Sequence, residues 1–288
     1  MTRMAGEALW RCGSHVIPLR QRTLVMGIVN VTPDSFSDGG SYASVDDAVK
    51  HAIQMVADGA DLLDVGGEST RPGSEAVPAD EEQHRIVPVI QRITLDLPDT
   101  PVSVDTRKAD VALAALDAGA TIVNDISAGG DPAMFDVVRD SGAGMILMHM
   151  KGEPKTMQED PTYYDVVAEV RGFLGERVES AIAAGIDREQ LCVDPGIGFG
   201  KNLQHNLELL HDIGAFHHLG VPVLVGPSRK RFIGTLTGAE VDDRIEGTAG
   251  AVAWCAARGV DIVRVHDVKE MTRIVRVVDA IARASSAG

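Results

Sequence analysis

Eight short runs rich in Val, Ile and Leu recur along the chain, and each ends on a polar residue or a glycine. The ends are Val29-Asn30, Leu63-Asp64, Val104-Asp105, Val123-Asn124, Met148-His149, Val193-Asp194, Val225-Gly226 with Ser228 just beyond, and Val263-Arg264. Runs this short and this uniformly apolar fit strands buried on both faces, as in a parallel sheet. They predict strands over residues 23–29, 62–65, 102–104, 121–123, 145–148, 191–193, 221–225 and 261–265. Between them the apolar spacing becomes helical. Over 45–56, Val45, Ala48, Val49, Ala52, Ile53 and Val56 share one stripe, and 111–118, 165–184 and 271–282 repeat the spacing. Gly59, Gly119, Gly185 and Gly259 follow helical stretches, where a left-handed C-cap is expected before the next strand.

Eight strand-plus-helix units predict an α/β fold, a closed (β/α)8 TIM barrel whose chemistry sits where the strands end. An open doubly wound sheet is the alternative, but no phosphate fingerprint follows the first strand. The barrel is expected over residues 23–282, with an N-terminal extension at 1–22 and a C-terminal tail at 283–288. Trp10, Val16, Ile17 and Leu19 in the extension are expected to form a hairpin or plug over the barrel's N-terminal face.

Composition narrows the class. The 288 residues match the roughly 250 of a typical barrel plus a short extension. Hydrophobic content of 44% and charged content of 24% are those of a soluble enzyme. No run approaches the roughly 20 apolar residues that span a bilayer, and the N-terminus carries no signal-peptide core. Cys12, Cys192 and Cys255 are scattered and odd in number, which fits reduced thiols in a cytoplasmic protein. A net charge of −15 weighs against nucleic acid as a partner.

The polar run ends carry the candidate chemistry. Asp105, Asn124 and Asp194 are expected to converge at the barrel mouth from strands three, four and six. Two carboxylates and an amide suit a flat heterocycle with adjacent N–H donors, although Asp and Asn after a strand also cap helices. A basic cluster, Ser228-Arg-Lys-Arg231 with Arg264-Val-His266, follows strands seven and eight, where barrels often hold phosphate. The loops after strands one and two are long and glycine-bearing, and the second offers Arg71 to an anion. No Ser-His-Asp or Cys-His nucleophile arrangement is evident. His149, His205, His211, His217 and His218 are read as packing or solvent contacts.

These residues also carry a family resemblance. Met26-Gly-Ile-Val-Asn-Val-Thr-Pro-Asp-Ser-Phe-Ser-Asp-Gly-Gly40 and Asp64-Val-Gly-Gly-Glu-Ser-Thr-Arg-Pro-Gly73 resemble the first two signatures of dihydropteroate synthases. Ser103-Val-Asp-Thr106, Val123-Asn-Asp-Ile126, Asp194-Pro-Gly-Ile-Gly-Phe199, Ser228-Arg-Lys230 and Arg264-Val-His-Asp267 match the remaining motifs in order, so the resemblance covers residues 23–282. It implies condensation of a dihydropterin-CH2-diphosphate with p-aminobenzoate, giving dihydropteroate and diphosphate by an SN1-like loss of the leaving group. It also implies Mg2+ and a homodimer built through helices near strands six to eight.

By the same resemblance Asn30 helps hold Mg2+, and Thr70, Arg71, Arg264 and His266 grip the diphosphate. Asp105, Asn124, Asp194 and Lys230 bind the pterin, with Asp105 also offsetting the developing positive charge. Phe36, Pro72 and Phe199 wall the aminobenzoate site, and Ser228 belongs to the same mouth. Asp34 and Asp38 help close the first loop, which puts Asp38 with Asp105 and Lys230 among the catalytic candidates. Two positions depart from the pattern. Arg231 stands where many relatives carry Ser, leaving the aminobenzoate carboxylate to the Arg231 side chain or to backbone alone, and Pro227 replaces a common hydroxyl residue. A methyltetrahydrofolate-binding methyltransferase domain and a non-catalytic pterin-binding homologue are the rival readings. The cations expected to form a diphosphate clamp weigh against the first, and the full set of site residues against the second. Strand five, ending at His149, has no role in this assignment.

Overall fold

The computed structural model describes residues 8–31, 41–69 and 73–284. Two strands, β1 (Leu9–Cys12) and β2 (His15–Pro18), form an antiparallel hairpin ahead of the barrel. Eight parallel strands follow: β3 (Leu24–Asn30), β4 (Leu62–Gly66), β5 (Val102–Asp105), β6 (Ile122–Asp125), β7 (Gly144–Met148), β8 (Leu191–Asp194), β9 (Leu224–Val225) and β10 (Ile262–Val265). Helices alternate with them: α1 (Ser41–Ala57), α2 (Ala79–Asp96), α3 (Ala109–Asp117), α4 (Met134–Ser141), α5 (Val166–Ala183), α6 (Leu203–His211), α7 (Arg231–Thr237), α8 (Ile245–Ala257) and α9 (Val268–Ala284). The sheet runs β8-β7-β6-β5-β4-β3-β10-β9. A parallel bridge between Val193 and Val223 joins its two edges, so the sheet closes into the expected barrel.

Strand seven is shorter than its apolar run predicts, because Pro222 has no N–H to give the ladder. Its carbonyl accepts from Val193 N at 2.9 Å, while Val223 N turns aside to Asp261 Oδ2 at 3.0 Å. Helix α2 holds Pro88 in its interior, a residue that ordinarily breaks a helical pattern. Glycines 59, 119, 185 and 259 all take the predicted positive φ, between +83° and +108°.

Alternation along the strands divides the core in two. One set of side chains, including Val25, Leu63, Val104, Val123 and Val193, packs outward under the helices. The other set faces the barrel axis. At its N-terminal end Leu24, Met26, Leu62, Ile122, Ile146, Cys192, Leu224 and Ile262 form one cluster with Trp10, Cys12, Ile17 and Leu19 of the hairpin. The predicted plug is therefore present, with Trp10 wholly buried and its indole Nε1 donating to the Gln190 carbonyl at 2.9 Å. Val16 is the exception. It alternates with Ile17 and so faces out, 57% exposed. All three cysteines are free and buried.

Candidate active site

Where the inward-facing positions cease to be apolar, five polar side chains meet. Asp64 (β4), Asp105 (β5), Asn124 (β6), Asp194 (β8) and Arg264 (β10) stand on strands whose two-residue alternation turns them toward the axis. Arg264 anchors the group. Its Nε donates to Asp64 Oδ2 at 2.5 Å and its Nη2 to Asp105 Oδ2 at 2.7 Å. Asn124 Nδ2 donates to the same Asp64 oxygen at 3.0 Å. A carboxylate can only accept, so this contact fixes the Asn124 amide with its oxygen pointing away from Asp64. Asp64 Oδ1, Asp105 Oδ1 and Asn124 Oδ1 are buried without a hydrogen-bond partner among the described residues. Buried acceptors left open cost about 1–3 kcal/mol each, which a ligand carrying N–H donors recovers.

Burial sets the ionisation of these groups. It pushes the Asp105 carboxyl up to about 7, against the pull of Arg264 and with Asp64 adding repulsion. Burial likewise raises Asp194 to about 6, opposed by the Gly196 N–H, which donates to Asp194 Oδ1 at 2.7 Å, and by Lys230, Arg264 and Lys201. That local bond is the capping-type role open to a strand-end Asp; Asp105 and Asn124 make none. Asp125, beside Asn124, plays it more fully by accepting from Ser127 N and Gly129 N.

Above this layer the loops after β8 and β9 meet. The Lys230 ammonium lies 4.1 Å from the centroid of the Phe199 ring. Phe199 packs with Ile126, Met148 and Met157 as an apolar wall. Sequence reasoning found Phe199 but missed its three companions, although the inward register of Met148 was a usable signal. Ser228 Oγ lies 3.0 Å from His266 Nδ1 and accepts from His266 N at 3.2 Å. Burial, with Arg264 and Arg229 nearby, holds the His266 imidazole down at about 3.

The basic cluster splits on folding. Arg229 is held by Asp267, with Nη2 2.6 Å from Oδ1, and so braces the loop rather than serving the phosphate end. Arg231 opens α7 and is exposed, which leaves its side chain in solvent. Arg264, expected at the leaving group, is also held by two carboxylates, Asp64 and Asp105. Asn30 ends β3 half-buried at the mouth. Phe36, Asp34, Asp38, Thr70, Arg71 and Pro72 lie outside the described residues.

Two residues here were not singled out by the sequence. Asp64 closes an apolar run like its neighbours, and that position was the available signal. Lys201 follows a glycine-rich loop and is nonetheless only 2% exposed, with its Nζ on His149 Nδ1 at 3.0 Å. The histidines otherwise behave as packing groups. His149 stacks edge-on against Phe173, and His205 bonds back to Asn202 at the start of α6.

Comparisons with known proteins agree with this geometry. Residues 26–266 match the family model described as pterin binding enzyme. The dihydropteroate synthase of Escherichia coli (strain K12) is 47% identical over 260 residues, covering 90% of this chain and 92% of the relative. The structure of Xanthomonas albilineans dihydropteroate synthase with 4-aminobenzoic acid superposes with a TM-score of 0.90 at 46% identity, covering 96% of this chain and 99% of the other. The same enzyme in complex with 7,8-dihydropteroate gives 0.87 at 44% identity, with the same coverage of 96% and 99%. The chain belongs to the pterin-binding enzymes and, among them, to the dihydropteroate synthase family.

Proposed function

We propose that this protein condenses a (7,8-dihydropterin-6-yl)methyl diphosphate with p-aminobenzoate, giving 7,8-dihydropteroate and diphosphate. The observation that carries the reading is the trio of open, buried acceptors on Asp64, Asp105 and Asn124 beside Asp194. Adjacent acceptors at the end of a barrel suit the N–H edge of a pterin.

The electron-rich pterin can carry a methylene cation, so the chain needs no nucleophile of its own. The carbon–oxygen bond to diphosphate breaks and its electron pair leaves with the diphosphate. The aniline lone pair then closes a carbon–nitrogen bond, and the nitrogen sheds a proton. Asp105, Asn124, Asp194 and Lys230 hold the pterin, and the Asp105 carboxylate faces the developing positive charge. Phe199, with the Lys230 stem alongside, walls the aminobenzoate. By the family resemblance Phe36 and Pro72 would serve the aminobenzoate side, Asp38 would act from the first loop, and Thr70, Arg71, Arg264 and His266 would hold diphosphate oxygens. The exposure of Arg231 favours the helix-start backbone of α7, with Ser228 nearby, as the carboxylate's contact.

Mg2+ fits this donor set. Asn30 offers one hard amide oxygen, and no cluster of three His, Cys, Asp or Glu among the described residues could hold a metal alone. The ion would share the diphosphate and water as ligands. Bound there, it neutralises charge building on the leaving group.

The reading extends to a cytoplasmic homodimer. Three buried free thiols suit a reducing compartment. A groove of about 330 Å³ between α6, α7 and α8 is lined by Leu210, Phe232, Ile233, Leu236 and Trp254. Leu236 is 57% and Trp254 40% exposed there, which suits a second copy of the chain.

The test is incubation with dihydropterin diphosphate, Mg2+ and p-aminobenzoate, following diphosphate release and dihydropteroate together. Stoichiometric formation of both is expected. Diphosphate release without dihydropteroate, or neither product, overturns the reading.

A further inference from the structure

His149 follows directly on strand β7 and has no assigned part in the condensation, and beneath the mouth it meets Lys201. The Lys201 ammonium has three N–H groups and three acceptors: Phe199 O at 2.8 Å, His149 Nδ1 at 3.0 Å and His149 O at 3.3 Å. All three acceptors are neutral. An ammonium this deep is costly unless something uses its charge. With Nδ1 accepting, the His149 proton sits on Nε2 and the imidazole is uncharged.

Two chains of contact lead from this point to the site. His149 O also touches the backbone at Gly196, where an added Cβ would stand 1.9 Å from that oxygen and φ is +68°. Only glycine fits such an approach, and the Gly196 N–H in turn holds Asp194 Oδ1. The second chain runs through the Phe199 carbonyl to the Phe199 ring and the Lys230 above it.

We propose that Lys201 is a positioning residue of the pterin site. Its buried ammonium, seated on His149 and the Phe199 carbonyl, locks the loop of residues 195–201 so that Asp194 and Phe199 face the substrate, and supplies positive charge against which Asp194 ionises. This rests on the reading of Asp194 as a pterin ligand. The charged and titratable groups around Lys201 are Asp194 from β8, Lys230 from beyond β9, His149 and Lys151 from the end of β7, and His205 on α6. Burial lowers Lys201 to about 7 while Asp194 holds it up, and the coupling is reciprocal. A ligand that needs Asp194 ionised therefore raises the proton affinity of Lys201.

The experiment compares wild type, Lys201→Met and Asp194→Asn in pH-dependent steady-state kinetics. Lys201→Met is expected to raise KM for the dihydropterin diphosphate about tenfold, with a smaller change in kcat. The acid limb of kcat/KM for that substrate should move to higher pH by about one unit, as for a carboxylate losing a nearby cation. A lysine serving only to stabilise the fold would leave that limb in place, and an unmoved limb with unchanged KM overturns the proposal. In wild-type protein carrying 13C at the lysine Cε, saturation with the dihydropterin diphosphate should shift the Lys201 titration upward. An unshifted titration overturns the proposal even where Lys201→Met fails to fold. If instead Asp194→Asn leaves the pterin KM unchanged, the Asp194 assignment itself fails.

Discussion

Arg264 and Asp64 stand 200 positions apart in the chain and 2.5 Å apart inside the barrel. Asp64 is wholly buried and its Oδ2 also receives the Asn124 amide, so one oxygen orients both a cation and a recognition group. Replacing it as Asp64→Asn leaves Arg264 short of a buried counter-charge. Removing one partner of such a pair costs about 3–5 kcal/mol. We expect a stability loss at the lower end of that range in urea unfolding, because Asp105 still faces Arg264. Pterin affinity should fall with it, since the Asn124 amide is then free to turn over.

Binding of the pterin substrate should weaken as the medium is acidified. Burial raises Asp105 to about 7 and Asp194 to about 6, and each accepts two parallel substrate N–H groups only when ionised, since protonation turns one carboxyl oxygen into a donor. The expected kcat/KM for the pterin substrate falls as pH drops through 7 and 6. A profile level down to pH 5 contradicts the assignment.

The same carboxyls shape the stability of the ligand-free protein with a definite sign. Their folded-state values lie above the unfolded value of about 3.9, so the folded chain holds protons that the unfolded chain releases. This contribution is complete below about pH 4 and is lost as pH rises through 6 and 7. His266, held down at about 3, acts oppositely: its contribution is present above about pH 6.5 and is lost as pH falls toward 3. Lys201, held down at about 7, gains stability as pH rises past 7 and opposes the carboxyls' loss, so their contribution is read as a difference. In chemical denaturation the stability of Asp105→Asn relative to wild type should rise as pH goes from 5 to 8.

Trp10→Ala tests the plug. Emptying a fully buried tryptophan site costs about 3–5 kcal/mol, and Trp10 lies at the end of the barrel remote from Asp105 and Asp194. The expected result is a large drop in unfolding midpoint with kcat per folded molecule retained. Parallel losses of stability and kcat at low temperature contradict it.

Leu236→Glu tests the dimer. A charge placed in the groove between α6, α7 and α8 should shift sedimentation from dimer toward monomer without unfolding the chain. Unchanged mass in both proteins, whether dimer or monomer, argues against that face as the interface.

Much of this was legible in the sequence because a closed parallel sheet writes itself as apolar runs buried on both faces. A polar residue closing such a run has few reasons to be there, which is why Asp105, Asn124 and Asp194 could be picked out singly. What stayed hidden depends on partners remote in the chain. Nothing local to Arg264 reveals that β4 and β5 bring Asp64 and Asp105 against its guanidinium. Arg229 reads as part of a basic cluster until Asp267 claims it. Lys201 follows glycines and resembles a solvated loop residue, since nothing local reveals that His149 lies against it. Pro222 shortened a strand its neighbours predicted, and strand alternation turned Val16 outward where composition suggested burial.

The hairpin plug has a kinetic consequence. Trp10 and the ring of side chains packed around it fill the N-terminal end of the barrel, so among the described residues the polar layer is reached from the C-terminal end. Asn124 and Asp64 lie toward the bottom of the mouth, and Phe199 with Lys230 stands at its rim. Molecules admitted from that end must queue: the occupant of the bottom enters first and departs last. On the proposed assignment of pterin to the lower layer and aminobenzoate to the rim, the pterin is expected to bind first, and aminobenzoate arriving early would stand in its path.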